Sequence, residues 1–169
     1  MPTPGALDPA FVADCPYGPE ALLLDAILAV EPDEGRVVAR MPTHAHLPLT
    51  EHQRVHPERH PRHVNGGLMV HMTGMLGFVH AYYVLGLRHA DGWIGYGGRI
   101  YDARYTGLAV PPAPLLLELR ATKVRRGPKR IFGRYAFRFT QQQRPIFQSE
   151  QAAMWLRIEE GDDPEELGA

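Results

Sequence analysis

Val64 to Leu87 is a run of 24 consecutive residues without a single Asp, Glu, Lys or Arg. It carries Asn65, His71, Thr73, His80 and five glycines (Gly66, Gly67, Gly74, Gly77, Gly86). An uncharged run of this length is long enough to span a bilayer. Its glycines and scattered polar groups fit better a helix buried on nearly every side inside a folded domain. Asn65 is suited to cap such a helix, its body is expected to run to about Leu85, and Gly86 is suited to stop it. Whatever else the chain does, it must wrap that helix.

The chain has 169 residues, 44% hydrophobic and 22% charged, enough for one domain with a sizeable core. The single cysteine, Cys15, excludes an internal disulfide framework and a cysteine zinc cluster. A net charge of −1 argues against a nucleic-acid binder. The N-terminus lacks a basic start followed by an apolar core, so a cytoplasmic, non-membrane protein is the expectation.

Near-neutrality is a cancellation. Leu119 to Ser149 holds nine basic residues and no acidic one, whereas six of the eleven residues from Glu159 to Ala169 are acidic. Residues 1–13, with Pro2, Pro4, Gly5 and Pro9, are expected to be a flexible leader, 14–158 a single domain, and 159–169 an acidic solvated tail.

The flanking segments are strand-rich. Leu22–Val30 and Arg36–Met41 predict a hairpin joined by a Pro-Asp-Glu-Gly turn. Residues 44–63 are broken by Pro48, Pro57 and Pro61 and predict a loop. Four strands follow, at about Gly92–Tyr105, Leu115–Val124, Arg130–Thr140 and Arg144–Ile158. Leu115, Leu117, Leu119 and Ala121 alternate with Leu116, Glu118, Arg120 and Thr122. Ile131, Gly133, Tyr135, Phe137 and Phe139 alternate with Arg134 and Arg138. The result is an α+β fold, one long helix on the concave face of an antiparallel sheet of about five to six strands.

Three segments resemble a known family. Pro16–Ile27 resembles a proline-rich entry into an "LLxD" first strand, Asn65–Val70 a "PGxL" helix entry, and Ala103–Pro111 an "xxFxxxVxPG" bend. Together with the element order they resemble the hotdog-fold thioesterase and dehydratase superfamily, most closely the bacterial 3-hydroxyacyl-carrier-protein dehydratases. The resemblance implies a hotdog fold, a homodimer or an oligomer of dimers with the site at the subunit interface, acyl-CoA or acyl-ACP substrates, and no cofactor. It places His56 at the loop histidine of the dehydratase site. The helix carboxylate of that site falls on His71, and no Asp or Glu lies between Glu58 and Asp91. His63-Val64-Asn65 also resembles an "H-x-N" helix entry of hotdog thioesterases that lack a helix carboxylate.

Thioester chemistry needs a polarised carbonyl, which backbone N–H groups at a helix N-terminus supply. Gly66 and Gly67 suit an oxyanion hole because bare backbone admits close approach. Asn65, His56, His63 and His71 are the candidate catalytic side chains. Dehydration asks for an acid and a base, hydrolysis for an oriented water, a base and the oxyanion hole. A non-catalytic acyl-binding protein is the third reading. His80 lies half a helical turn out of phase with His71 and is not expected to share its site. His52, His56 and His60 have a helical zinc spacing, but Pro57 and Pro61 interrupt the helix, so no metal is expected. Arg120–Arg144 is either a phosphate- or carrier-binding surface or a charged outer sheet face. Trp93, Tyr96, Tyr101 and Tyr105 are candidates for an acyl channel or for the core.

Overall fold

The structure is a computed structural model that describes residues 5–159. The acidic tail beyond Glu159 and the first four residues of the expected leader lie outside the described residues. The rest of that leader is folded. Gly5–Ala6 (β1) pairs with the second strand, and Pro9–Asp14 (α1) is a helix capped by Asp8, whose carboxylate accepts from Ala10 N. Phe11 anchors α1, buried against Tyr82 and Tyr83. Pro9 sits at the first helical turn, where its missing N–H costs nothing, so a proline that reads as a loop signal is here a helix start.

A short helix, Pro19–Leu22 (α2), ends at Leu23 in the left-handed region with φ 53°. The first long strand, Ala26–Glu31 (β2), therefore starts four residues later than its apolar pattern predicts. Arg36–Met41 (β3) matches its expected bounds. The uncharged run forms Gly66–His80 (α3), which widens into a π-helical turn over Ala81–Leu85 and stops at Gly86 with φ 72°. Trp93–Tyr105 (β4), Leu115–Arg126 (β5), Arg130–Gln141 (β6) and Arg144–Arg157 (β7) complete the sheet. All pairings are antiparallel, in the order β1-β2-β3-β5-β6-β7-β4. This is the hotdog fold.

Alternation fixes which face meets α3. Leu115, Leu117 and Leu119 on β5, and Ile131, Tyr135, Phe137 and Phe139 on β6, are buried. All but Ile131 pack with Leu68, Met69, Met72, Met75, Leu76 and Val79 of α3, and Ile131 packs with Ala81, Leu85 and Trp155. The helix with its π-turn is apolar and long enough to cross a membrane, but most of it is buried in this core. Several charges of the basic run are balanced locally: Arg120 pairs with Glu34, Lys129 with Glu159 and Arg134 with Glu150.

Two features leave part of α3 open. The sheet ends at β4, whose only strand neighbour among the described residues is β7. Along α3, Gly67 and Gly74 are exposed and Val70, His71 and Phe78 half-buried. That i, i+3/i+4, i+7 spacing makes them one stripe.

Candidate functional site

The open stripe borders a cavity of about 430 Å³ between α3 and strands β4, β6 and β7. Val70, His71, Thr73, Gly74 and Phe78 form its helix wall, and Gly95, Gly97 and Ile100 part of its strand wall. The glycines on β4 make room. A Cβ at Gly95 would come within 2.5 Å of the Trp155 ring, while one at Gly97 or Gly74 would meet open space. Among the described residues, no Asp or Glu lines this cavity.

His71 is the one proposed catalytic histidine that lines it. Its Nε2 lies 2.6 Å from the Ala21 carbonyl and its ring meets Tyr17 edge-on. A carbonyl only accepts, so Nε2 carries a proton, and the tautomer this contact selects has its lone pair at Nδ1. The sequence pattern could not show this contact, because it comes from α2, fifty residues away.

The other two histidines stay in the loop. His56 Nδ1 accepts from the backbone N–H groups of Glu58 and Arg59, and His56 and His60 form a small backbone bridge. His63 Nδ1 donates to the Pro61 carbonyl, and its ring contacts His60. Neither lines the cavity. No three His, Cys, Asp or Glu side chains converge as a metal site among the described residues.

At the helix start, Asn65 Oδ1 accepts from Gly67 N at 2.8 Å. The Gly67 N–H is therefore spent on the cap, contrary to its expected availability. Gly66 N–H has no partner among the described residues. Asn65 Nδ2 likewise makes no hydrogen bond among the described residues. Tyr105 closes over this turn: its hydroxyl donates to Gly66 O, and a Cβ on Gly66 would sit 3.1 Å from its ring. Gly66 thus serves close packing as well as leaving an N–H open.

Of the aromatic candidates, Tyr96, Tyr101 and Tyr105 are all exposed, Tyr96 alone of the four lines the cavity, and Trp93 packs elsewhere. Trp155, Tyr135 and Phe137 line it instead. The missed signal was Gly95-Tyr96-Gly97-Gly98. Glycines inside a strand mark a place where something approaches the backbone.

No protein-family model matches this chain, and no curated protein matches it. Solved structures do. A thioesterase of Pseudomonas aeruginosa superposes with a TM-score of 0.59 at 16% identity, covering 88% of this chain and 93% of that one. A Haemophilus influenzae thioesterase gives 0.59 at 15% identity, covering 89% and 92%. Zebrafish thioesterase superfamily member 2 gives 0.56 at 18% identity, covering 86% and 90%. These likenesses establish the fold.

Proposed function

We propose that the protein hydrolyses acyl thioesters of coenzyme A or of an acyl carrier protein, with the acyl group in the cavity along the open stripe of α3. The observation that carries the reading is His71. Its Nε2 proton is held by Ala21, which leaves Nδ1 as the basic nitrogen, and among the described residues no carboxylate lines the same cavity. Dehydration of a 3-hydroxyacyl thioester needs an acid for the departing hydroxyl as well as a base. The cavity offers no carboxylic acid for that step, so hydrolysis, which asks for one base and an oxyanion hole, takes precedence over the dehydratase chemistry that the sequence resemblance implies. The thioesterases among the structural neighbours support the same order.

In this mechanism the thioester oxygen sits at the N-terminus of α3 and accepts from Gly66 N–H and Asn65 Nδ2. His71 Nδ1 takes a proton from a water as its oxygen bonds to the carbonyl carbon. The C–S bond then breaks, and the departing sulfur takes the proton back from the imidazolium.

A homodimer fits the same reading. β4 presents an unpaired edge with Ile100, Tyr101 and Tyr105 exposed, and a second copy aligned there would cover them. The reading is tested by incubating the protein separately with saturated and 3-hydroxyacyl thioesters. Free thiol from both, with no enoyl product, is expected. Enoyl thioester without thiol would restore dehydration, and acyl-CoA binding with neither product would leave a binding protein.

A further inference from the structure

The cavity has a polar end that the hydrolytic step does not use. Thr73 and Ser149 are among the few polar residues buried in this core, at 4% and 6% exposure. Ser149 and Gln151 occupy positions on β7 between the buried Phe147 and Trp155, where apolar side chains would be expected. A hydrogen-bonded chain links them to the helix. Ser149 Oγ donates to the Asp102 carbonyl at 2.7 Å, Gln151 Nε2 donates to Ser149 Oγ at 3.0 Å, and Thr73 Oγ approaches Gln151 Oε1 at 3.0 Å and Val70 O at 2.7 Å.

The chain has one direction. The only Ser149 hydroxyl proton goes to a carbonyl, so Ser149 Oγ must accept from Gln151, and the amide nitrogen faces it. That leaves one Nε2 proton of Gln151 and a lone pair on Thr73 Oγ, both belonging to residues that line the cavity. A donor beside an acceptor matches a hydroxyl, which accepts from the first and donates to the second. Against a plain alkyl chain both would be desolvated without compensation.

We propose that Thr73 and Gln151 form an acyl-recognition subsite selecting thioesters with a hydroxyl near the distal end of the acyl chain. Position follows from the helix. Gly66 and Thr73 are seven residues apart, about 10 Å along the axis, roughly the span of an extended eight-carbon chain. A hydroxyl next to the thioester would not reach. The proposal rests on the thioester lying at the α3 N-terminus, as in the reading above.

The test compares the coenzyme A thioesters of octanoate, 3-hydroxyoctanoate and 8-hydroxyoctanoate on the full-length protein. Equilibrium binding is followed through Trp155, which lines the cavity, and turnover through thiol release. The 8-hydroxy compound is expected to bind about tenfold more tightly than the other two, the discrimination typical of one well-placed hydrogen-bond pair. Gln151→Leu and Thr73→Val should each shrink that ratio towards one, with circular dichroism verifying the fold. A preserved ratio in either folded variant, or equal affinity for all three ligands, overturns the subsite. Preference in binding without thiol release would uphold the subsite and defeat the hydrolytic reading. Thiol release with equal kcat/KM and equal affinity for all three would do the reverse, and failure of all three to bind would sink both.

Discussion

His71 and His80 stand on one helix, nine residues apart, in opposite circumstances. His71 lies on the open stripe, half-buried, with one nitrogen bound to the Ala21 carbonyl. His80 lies on the closed side, fully buried, with neither ring nitrogen hydrogen-bonded among the described residues and its ring edge-on to Tyr135. Burial, with a smaller contribution from the positive charge of Arg126, pushes the His80 pKa down to about 4. The first histidine lines the cavity with its Nε2 tied to backbone. The second is held neutral at a cost to the fold. Helical spacing puts them on opposite faces, and the surrounding elements decide which face stays open.

The largest effect should come from closing the open side. Gly74→Leu points a side chain into the cavity, where even a Cβ would meet no atom within 4 Å. Acyl-CoA binding and turnover should vanish, while the helix gains up to about 1 kcal/mol from losing a mid-helix glycine. Retained binding in a folded Gly74→Leu protein would place the ligand elsewhere.

Asn65→Asp separates cap from chemistry. Aspartate keeps the acceptor for Gly67 N but removes the Nδ2 donor and adds a negative charge beside the oxyanion. Thiol release should fall by about 100-fold or more, with thermal stability unchanged. Equal losses of stability and activity would reduce Asn65 to a cap.

His80 makes stability depend on pH. Its folded pKa lies below the ordinary value of 6.5, so the unfolded chain binds the proton more readily. The resulting loss of stability is absent above pH 6.5, grows as pH falls towards 4, and amounts to about 3 kcal/mol in all. Urea unfolding at pH 7 and pH 5 measures it. His80→Met should remove this part of the slope and stabilise the protein at neutral pH by about 1–2 kcal/mol, because it deletes buried groups without partners. An unchanged slope in the variant would mean that His80 finds a partner in solution. The smallest effect is expected from Tyr105→Phe, which loses one exposed hydrogen bond to Gly66 O and about 0.5–1 kcal/mol.

The sheet was legible where one face meets the core. β5 and β6 follow from alternation, β3 from an apolar run beside a turn signal, and the uncharged run correctly demanded a wrapped helix stopped at Gly86. Legibility failed where local signals mislead. Pro9 starts a helix, and Leu22 and Leu23 extend an apolar pattern that the backbone breaks with a left-handed turn. At the site, His71, Asn65 and Gly66 were visible as candidates. The loop spacing of His56 and His63 carried no information about distance from the cavity, and the Thr73–Gln151 chain depends on strand register that no local pattern encodes.

The proposed chemistry belongs to the open stripe of α3, through His71, and not to the histidine loop. Thiol release from acyl-CoA separates the two, measured for His71→Ala beside the double variant His56→Ala and His63→Ala, with both folds verified. Loss of a general base should lower kcat/KM for His71→Ala by at least about 100-fold, and the loop variant should stay within about threefold of the parent. Full activity in His71→Ala, or its collapse in the loop variant alone, would contradict this assignment.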